Sequence, residues 1–334
     1  MELDENQRVT YDKIKLLPKA ELHAHISGSV SYETLSKFAK TESQKDKLRL
    51  WFDNDFKKFT PTLKQIFDAF APMQDILSDE LALKSAIEDI VRSYSEENVK
   101  YLELRTTPKE LPSLSAEKFV STVVETLMQS EQKYAIKCRL LLSVNTRHSA
   151  QASEKVLKMA AADSSGYIVG VDLSGPPVED LNISTIVHVL RGAKSTGLKV
   201  SAHICEIDES KDKNSFSLAE ALLQGGVVDR IAHGTYLFSR PDLSLKVIDA
   251  KLPVEICPTS NFFTSERRFT SCRDLHFDEL FQIGHPVAIC CDDRGLFKCS
   301  LTDEFLQVAS DCSLTMNQIQ TLAKDSFTFA FNLQ

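Results

Sequence analysis

The stretch Ala20-Glu21-Leu22-His23-Ala24-His25-Ile26, with Ser27-Gly28-Ser29 directly behind it, decides the fold. Its short apolar run reads as a first strand buried on both faces. A doubly wound open sheet would normally follow such a strand with a glycine-rich phosphate turn. Here the strand ends in two histidines instead. Working outward, runs of the same kind recur at 99–106, 137–144, 167–173, 199–203, 230–233, 253–257 and 286–291. Stretches of helical period lie between most of them, at 81–97, 116–134, 153–162, 183–196 and 217–225. Eight strands alternating with helices predict an α/β fold, a (β/α)8 TIM barrel forming one domain over residues 1–334. The segment 41–71 is too long for a plain connection. With Trp51, Phe52, Phe56, Phe59, Phe67 and Phe70 it reads as a helical insertion after strand one, packed over the barrel mouth.

Composition narrows the classes of function. The chain has 334 residues, 43% hydrophobic and 26% charged, enough apolar material for a sizeable core. A net charge of −8 with both signs interspersed disfavours a nucleic-acid polymer as partner, although a local basic pocket could still take a small anion. Residues 1–10 are polar and lack the apolar centre of a secretory signal. No apolar run approaches the roughly 18 residues that span a bilayer, so no membrane partner is expected. Cys138, Cys205, Cys257, Cys290 and Cys291 sit inside apolar runs, where reduced core thiols belong. Their setting predicts a cytoplasmic protein, and a monomer is expected.

All strand C-termini of a barrel open onto one face, and catalytic groups come from several of them. Strand one ends in His23 and His25, and strand four in Asp172-Leu173-Ser174-Gly175. Strand five ends in His203 with Glu206 three residues on, strand six in His233-Gly234, strand eight in Asp292-Asp293. Alternate residues of a strand face one side, so His23 and His25 can reach one ion. His203 and Asp292 complete a set of three imidazoles and a carboxylate that suits one Zn2+ with room for a water. Such an ion lowers the pKa of its water toward neutrality, and a separate acid must protonate the substrate. Glu206, near the metal in an apolar setting, fits an acid of raised pKa. His233 can orient the attacking water, Asp293 can accept a hydrogen bond, and the N–H of Gly175 can meet a flat heterocycle. The Asp292-Asp293 pair alone would read as a turn or helix cap; opposite three histidines it reads as part of the site. His148, His188, His276 and His285 are not expected to bind metal.

These motifs resemble the adenosine/AMP deaminase family of metal-dependent hydrolases along most of the chain. The resemblance rests on Leu17–His25, Tyr101–Lys109, Asp172–Gly175, Pro258–Asn261 and Cys291–Phe297, and is strongest to the adenosine deaminase-like branch. It implies hydrolysis of N6-methyl-AMP and related N6-substituted purine monophosphates to IMP, with free adenosine as the alternative substrate. It implies zinc on His23, His25, His203 and Asp292, Glu206 as proton donor to N1, and His233 as partner of the attacking water. Asp293 would contact the purine and Gly175 its N3. Binuclear relatives carry a bridging lysine at the end of strand four; this chain has none, which implies a single ion. The branch binds phosphate with the loop after strand two, here Thr106, Thr107, Pro108 and Lys109. Hydroxyls, backbone amides and an ammonium there can satisfy a phosphate.

The chain departs from the branch at Ser27, Gln74 and Asn145, where the branch has Asn, His and Asp, and reads His203-Ile204-Cys205-Glu206 where plain adenosine deaminases have a small pair between His and Glu. Ser27 and Asn145 keep the capacity to bond a ribose. A catalytically silent nucleotide-binding barrel would have lost a ligand or the acid, and every such group is present. A cytidine-type zinc deaminase is excluded, because the Cys-x-x-Cys half of its signature is missing.

Overall fold

The computed structural model describes residues 5–56, 58–111 and 114–332. Its eight strands are β1 (Lys19–His25), β2 (Val99–Thr106), β3 (Lys137–Asn145), β4 (Ile168–Ser174), β5 (Lys199–Ile204), β6 (Arg230–His233), β7 (Val254–Ile256) and β8 (Val287–Ile289). All seven pairings are parallel and follow chain order, which is the sheet of a (β/α)8 barrel. The eight predicted strands are all present. The last two are shorter than their apolar runs: Pro253 and Pro286, which lack the N–H a ladder needs, fall outside at the N-terminal ends, and Cys257, Cys290 and Cys291 at the C-terminal ends.

Closure takes place just beyond β8. Asp292 N donates to His23 O at 2.9 Å, and His25 N donates to Asp292 O at 3.1 Å. The ring is thus sealed by residues that carry candidate functional side chains. β1 is irregular between Glu21 and Ala24. Across that irregularity the buried Glu21 carboxylate accepts from His23 N at 2.8 Å and Cys291 N at 3.0 Å, doing the work of a missing backbone carbonyl.

The outer helices bury their apolar faces against the sheet, for example Phe119, Val123 and Leu127 of Ala116–Tyr134. The insertion after β1 contains helices Glu42–Phe52 and Leu63–Ile76, each opened by a capping box, Thr41 with Gln44 and Thr62 with Gln65. Its aromatic residues hold it to the mouth: Trp51 Nε1 donates to Leu296 O at 2.8 Å, and the Phe56 ring packs edge-on against Phe263. At the opposite end, Arg230 donates to Phe329 O at 2.9 Å and lies over the Phe331 ring, closing the bottom of the barrel with the last described residues. Among the described residues, no helix is long and apolar enough to cross a membrane.

Candidate metal centre and active site

His23, His25, His203, His233 and Asp292 converge at the mouth. His23 Nε2 lies 3.2 Å and His25 Nε2 3.4 Å from Asp292 Oδ1, and His25 Nε2 lies 3.2 Å from His203 Nε2. Ligand atoms about 2.0–2.1 Å from one tetrahedral ion stand roughly 3.4 Å apart, so this spacing fits a divalent cation. The hydrogen-bond partners say which nitrogens are free. His23 Nδ1 donates to Glu255 Oε2 at 2.7 Å and His203 Nδ1 to Leu173 O at 2.9 Å, so both Nε2 atoms carry lone pairs. His23 Nε2 is buried without a partner. Burial pushes His25 down to about 3, so its ring is neutral.

The ligand atoms of His23, His203, His233 and Asp292 also lie within 4.8 Å of one another, so distance alone does not separate His233 from His25. Hydrogen bonding does. Asn261 Nδ2 donates to His233 Nδ1 at 3.0 Å, which places the His233 hydrogen on Nε2 and makes that atom a donor. His233 Nε2 stands 3.9 Å from both Glu206 Oε2 and Asp292 Oδ2.

Behind these side chains lies a buried polar shell. Arg105, from β2, bridges Asp172 Oδ1 and Glu255 Oε2, both at 2.9 Å. Asp172 Oδ1 also approaches His203 Nδ1 at 3.1 Å. Arg230 pairs with Glu103 and Glu255, Ser143 donates to Asp172 Oδ2 at 2.9 Å, and Ser260 donates to Asp292 Oδ2 at 2.7 Å. Each member satisfies another, which is what permits such charges in a core. Partners of this kind set tautomer and ring orientation.

Glu206 stands on the pocket wall with 18% of its side chain exposed. Burial, reinforced by Asp292 and opposed by His203, pushes its carboxyl up to about 7, so it can hold a proton near neutrality. Asp293 is held well above the usual carboxylate range by burial and by the negative charges of Asp292 and Glu206. A cation among these carboxylates would relieve that repulsion. Asp293 is also confined sterically, since a Cβ at Gly28 would stand 1.8 Å from its Oδ1. Gly28→Ala is therefore expected to displace the Asp293 carboxylate and destabilise the fold by about 1–3 kcal/mol. Thermal melting together with kcat/KM checks this, and a variant with wild-type values of both would show that Asp293 need not stand there.

A cavity of about 560 Å³ opens above the cluster. His25, Ser27, Gln74, Thr106, Thr107, Lys109, Asn145, Gly175, Glu206, His233, Asp292 and Asp293 all line it. His203 does too, while His23 lies fully buried beneath, and Pro108 is half-buried beside the loop without lining the cavity. Phe67 and Phe70, from the insertion, form apolar wall. Gly175 has φ +132°, a conformation open to glycine, and a Cβ there would meet Thr146 Oγ1 at 2.4 Å. The Lys109 ammonium, pushed down to about 8 by burial, has no ion-pair partner among the described residues.

Across residues 18–333 the sequence matches adenosine deaminase. The chain belongs to the adenosine deaminase family. It is 32% identical to the N6-methyl-AMP deaminase of Danio rerio over 94% of this chain and 90% of that protein. It is 30% identical to the N6-methyl-AMP deaminase of Homo sapiens, over 99% and 93%. The crystal structure of the Arabidopsis N6-mAMP deaminase superposes with a TM-score of 0.85 at 29% identity, covering 96% of this chain and 95% of that one. A related Arabidopsis structure, complexed with IMP, gives 0.84 at 28% identity over 96% and 94%.

For this adenosine deaminase family member, sequence reasoning missed the supports more than the site. Glu255 is a lone charge inside Val254-Glu255-Ile256, and Arg105 lies two residues beyond Glu103 in the buried end of β2. A charge within a strand buried on both faces is the signal that would have found them, since such a charge must be paired. Ser260 and Asn261 belong to the segment Pro258–Asn261, and their partners Asp292 and His233 lie far away in the chain. Arg147 and His148 line the cavity although neither was singled out as a site residue.

Proposed function

We propose that this deaminase hydrolyses N6-substituted adenosine monophosphates, N6-methyl-AMP to IMP and methylamine, with one zinc ion held by His23, His25, His203 and Asp292. Zinc bound there would supply the Lewis acidity that acidifies water near neutral pH. The reading is supported by the hydrogen bonds that leave Nε2 of His23 and His203 free to face Asp292 and His25, and by a cavity lined both by carboxylates and by Lys109. Water adds at C6 and methylamine leaves. Glu206, carrying its proton, donates to ring N1, and Asp293 holds the purine edge. His233, kept neutral by burial and by His23, offers its Nε2–H to the attacking water. The Gly175 N–H meets N3, Ser27, Gln74 and Asn145 face the ribose, and the Thr106-Thr107-Pro108-Lys109 loop takes the phosphate.

Single relatives named N6-methyl-AMP deaminase point the same way, and the unpaired Lys109 is the observation in this chain that carries the choice of nucleotide. All eight cysteines are free thiols, in keeping with a cytoplasmic enzyme. The reading is tested by comparing rates on N6-methyl-AMP, AMP, N6-methyladenosine and adenosine. The expected outcome is a preference for N6-methyl-AMP that Lys109→Ala reduces by about tenfold or more. Fast adenosine turnover indifferent to Lys109→Ala would instead make this a nucleoside deaminase, the alternative that the neutral Gln74 and Ser27 favour.

A further inference from the structure

Two side chains at the rim of the cavity have no part in the chemistry above, Arg147 and His148. They belong to the loop after β3, and β3 pairs with β2 in a register that sets Thr106 opposite Leu142. Their loop therefore stands beside the Thr106–Lys109 loop.

The turn is built by its own residues. His148 N donates to Asn145 O at 2.9 Å, and Asn145 Oδ1 accepts from Arg147 N at 3.0 Å and Arg147 Nε at 3.3 Å. Thr146 Oγ1 donates to Pro176 O at 2.9 Å, tying the turn to the segment behind Gly175. Asn145 N donates to His148 Nδ1 at 3.2 Å, so the hydrogen of the neutral ring sits on Nε2. Asn145 thus commits its carbonyl oxygen to shaping the turn, and the donors that the turn sends to the cavity are Arg147 and His148.

Charge separates along the cavity. Of its carboxylates, Asp292 and Asp293 are buried and Glu206 is part-buried, whereas Arg147 is exposed. Among the described residues neither Lys109 nor Arg147 has a carboxylate within ion-pair distance. A pocket lined by buried carboxylates and by two cations that have no carboxylate partner matches a ligand with a dianion at one end.

We propose that Arg147 and His148 join Lys109 in a clamp on the substrate phosphate and set the preference of this enzyme for nucleotide over nucleoside. The proposal rests on the nucleotide reading given above. Phosphate would receive the Arg147 guanidinium and the His148 Nε2–H as charge-assisted hydrogen bonds.

Arg147→Ala, Arg147→Lys and His148→Ala are to be compared with the wild type on N6-methyl-AMP and N6-methyladenosine, with IMP affinity measured by calorimetry. Each alanine variant is expected to raise KM for the nucleotide and Kd for IMP by about tenfold, leaving kcat within about twofold. The nucleoside's kcat/KM should move far less, and Arg147→Lys should recover part of the IMP affinity. Equal losses on both substrates would show that the turn only shapes the cavity and would overturn the clamp. So would unchanged IMP binding in a wild type that prefers the nucleotide. A wild type that treats nucleotide and nucleoside alike would overturn the proposed function itself, and the clamp with it.

Discussion

Glu206→Gln is expected to lower kcat by about 10³-fold while the protein keeps its metal. The amide has nearly the shape of the carboxyl, so the cavity and its hydrogen bonds survive. What is lost is the ability to give up a proton to the ring and regain it. The carboxyl suits that task because burial has pushed it up to about 7, close to the pH at which it must work. The division of labour is supported by its neighbour: Glu206 Oε2 stands 3.9 Å from His233 Nε2, which is not among the proposed ligands, whereas atoms of His23, His25, His203 and Asp292 approach one another to 3.2–3.4 Å. The check is metal content beside single-turnover rate. Loss of the metal would make Glu206 a ligand, and a near-normal rate would assign the acid elsewhere.

Asp292→Ala should be nearly as damaging for a different reason. Asp292 Oδ1 faces His23 and His25, and Oδ2 is held by Ser260 at 2.7 Å. The carboxylate is aimed, and the aim is rigid because its own backbone closes the barrel through His23 O and His25 N. Burial works to raise this carboxyl, and contact with His23 and His233 outweighs it, so the anion persists. Removing it deletes the only charged group among the four proposed ligands. Metal affinity should fall by more than the roughly 10–100-fold that losing an outer partner costs. Glu255→Gln supplies that comparison, since Glu255 reaches the site only through His23 Nδ1 at 2.7 Å. Competition with a chelator, read beside the thermal stability of the metal-free proteins, measures both. Equal zinc affinity in Asp292→Ala and the wild type would remove Asp292 from the metal; a Glu255→Gln effect larger than that of Asp292→Ala would invert the proposed roles.

The barrel was readable from the chain because its signals are local. Buried strands announce themselves as short runs of Val, Ile and Leu, and helices as apolar residues at helical spacing. The ends of β1, β5 and β6, and the acidic pair after β8, display their histidines and carboxylates in plain order. The insertion was legible from its aromatic residues, although the division into helices Glu42–Phe52 and Leu63–Ile76 rests on the two capping boxes. Strand ends were less exact: β7 and β8 are trimmed to Val254–Ile256 and Val287–Ile289.

By itself, then, the sequence determined the kind of fold, which strand ends present histidines and carboxylates, and which residue types stand there. Tertiary structure decided which nitrogens of His23, His203 and His233 are free, why the carboxyls of Glu206 and Asp293 are pushed up, and that Lys109 and Arg147 meet no carboxylate among the described residues. Those properties depend on burial and on neighbours far away in the chain, such as Glu255 against His23 or Asp172 against Arg105. Protonation follows from the summed field and desolvation at one point in space, and folding brings those contributions to that point from eight strands.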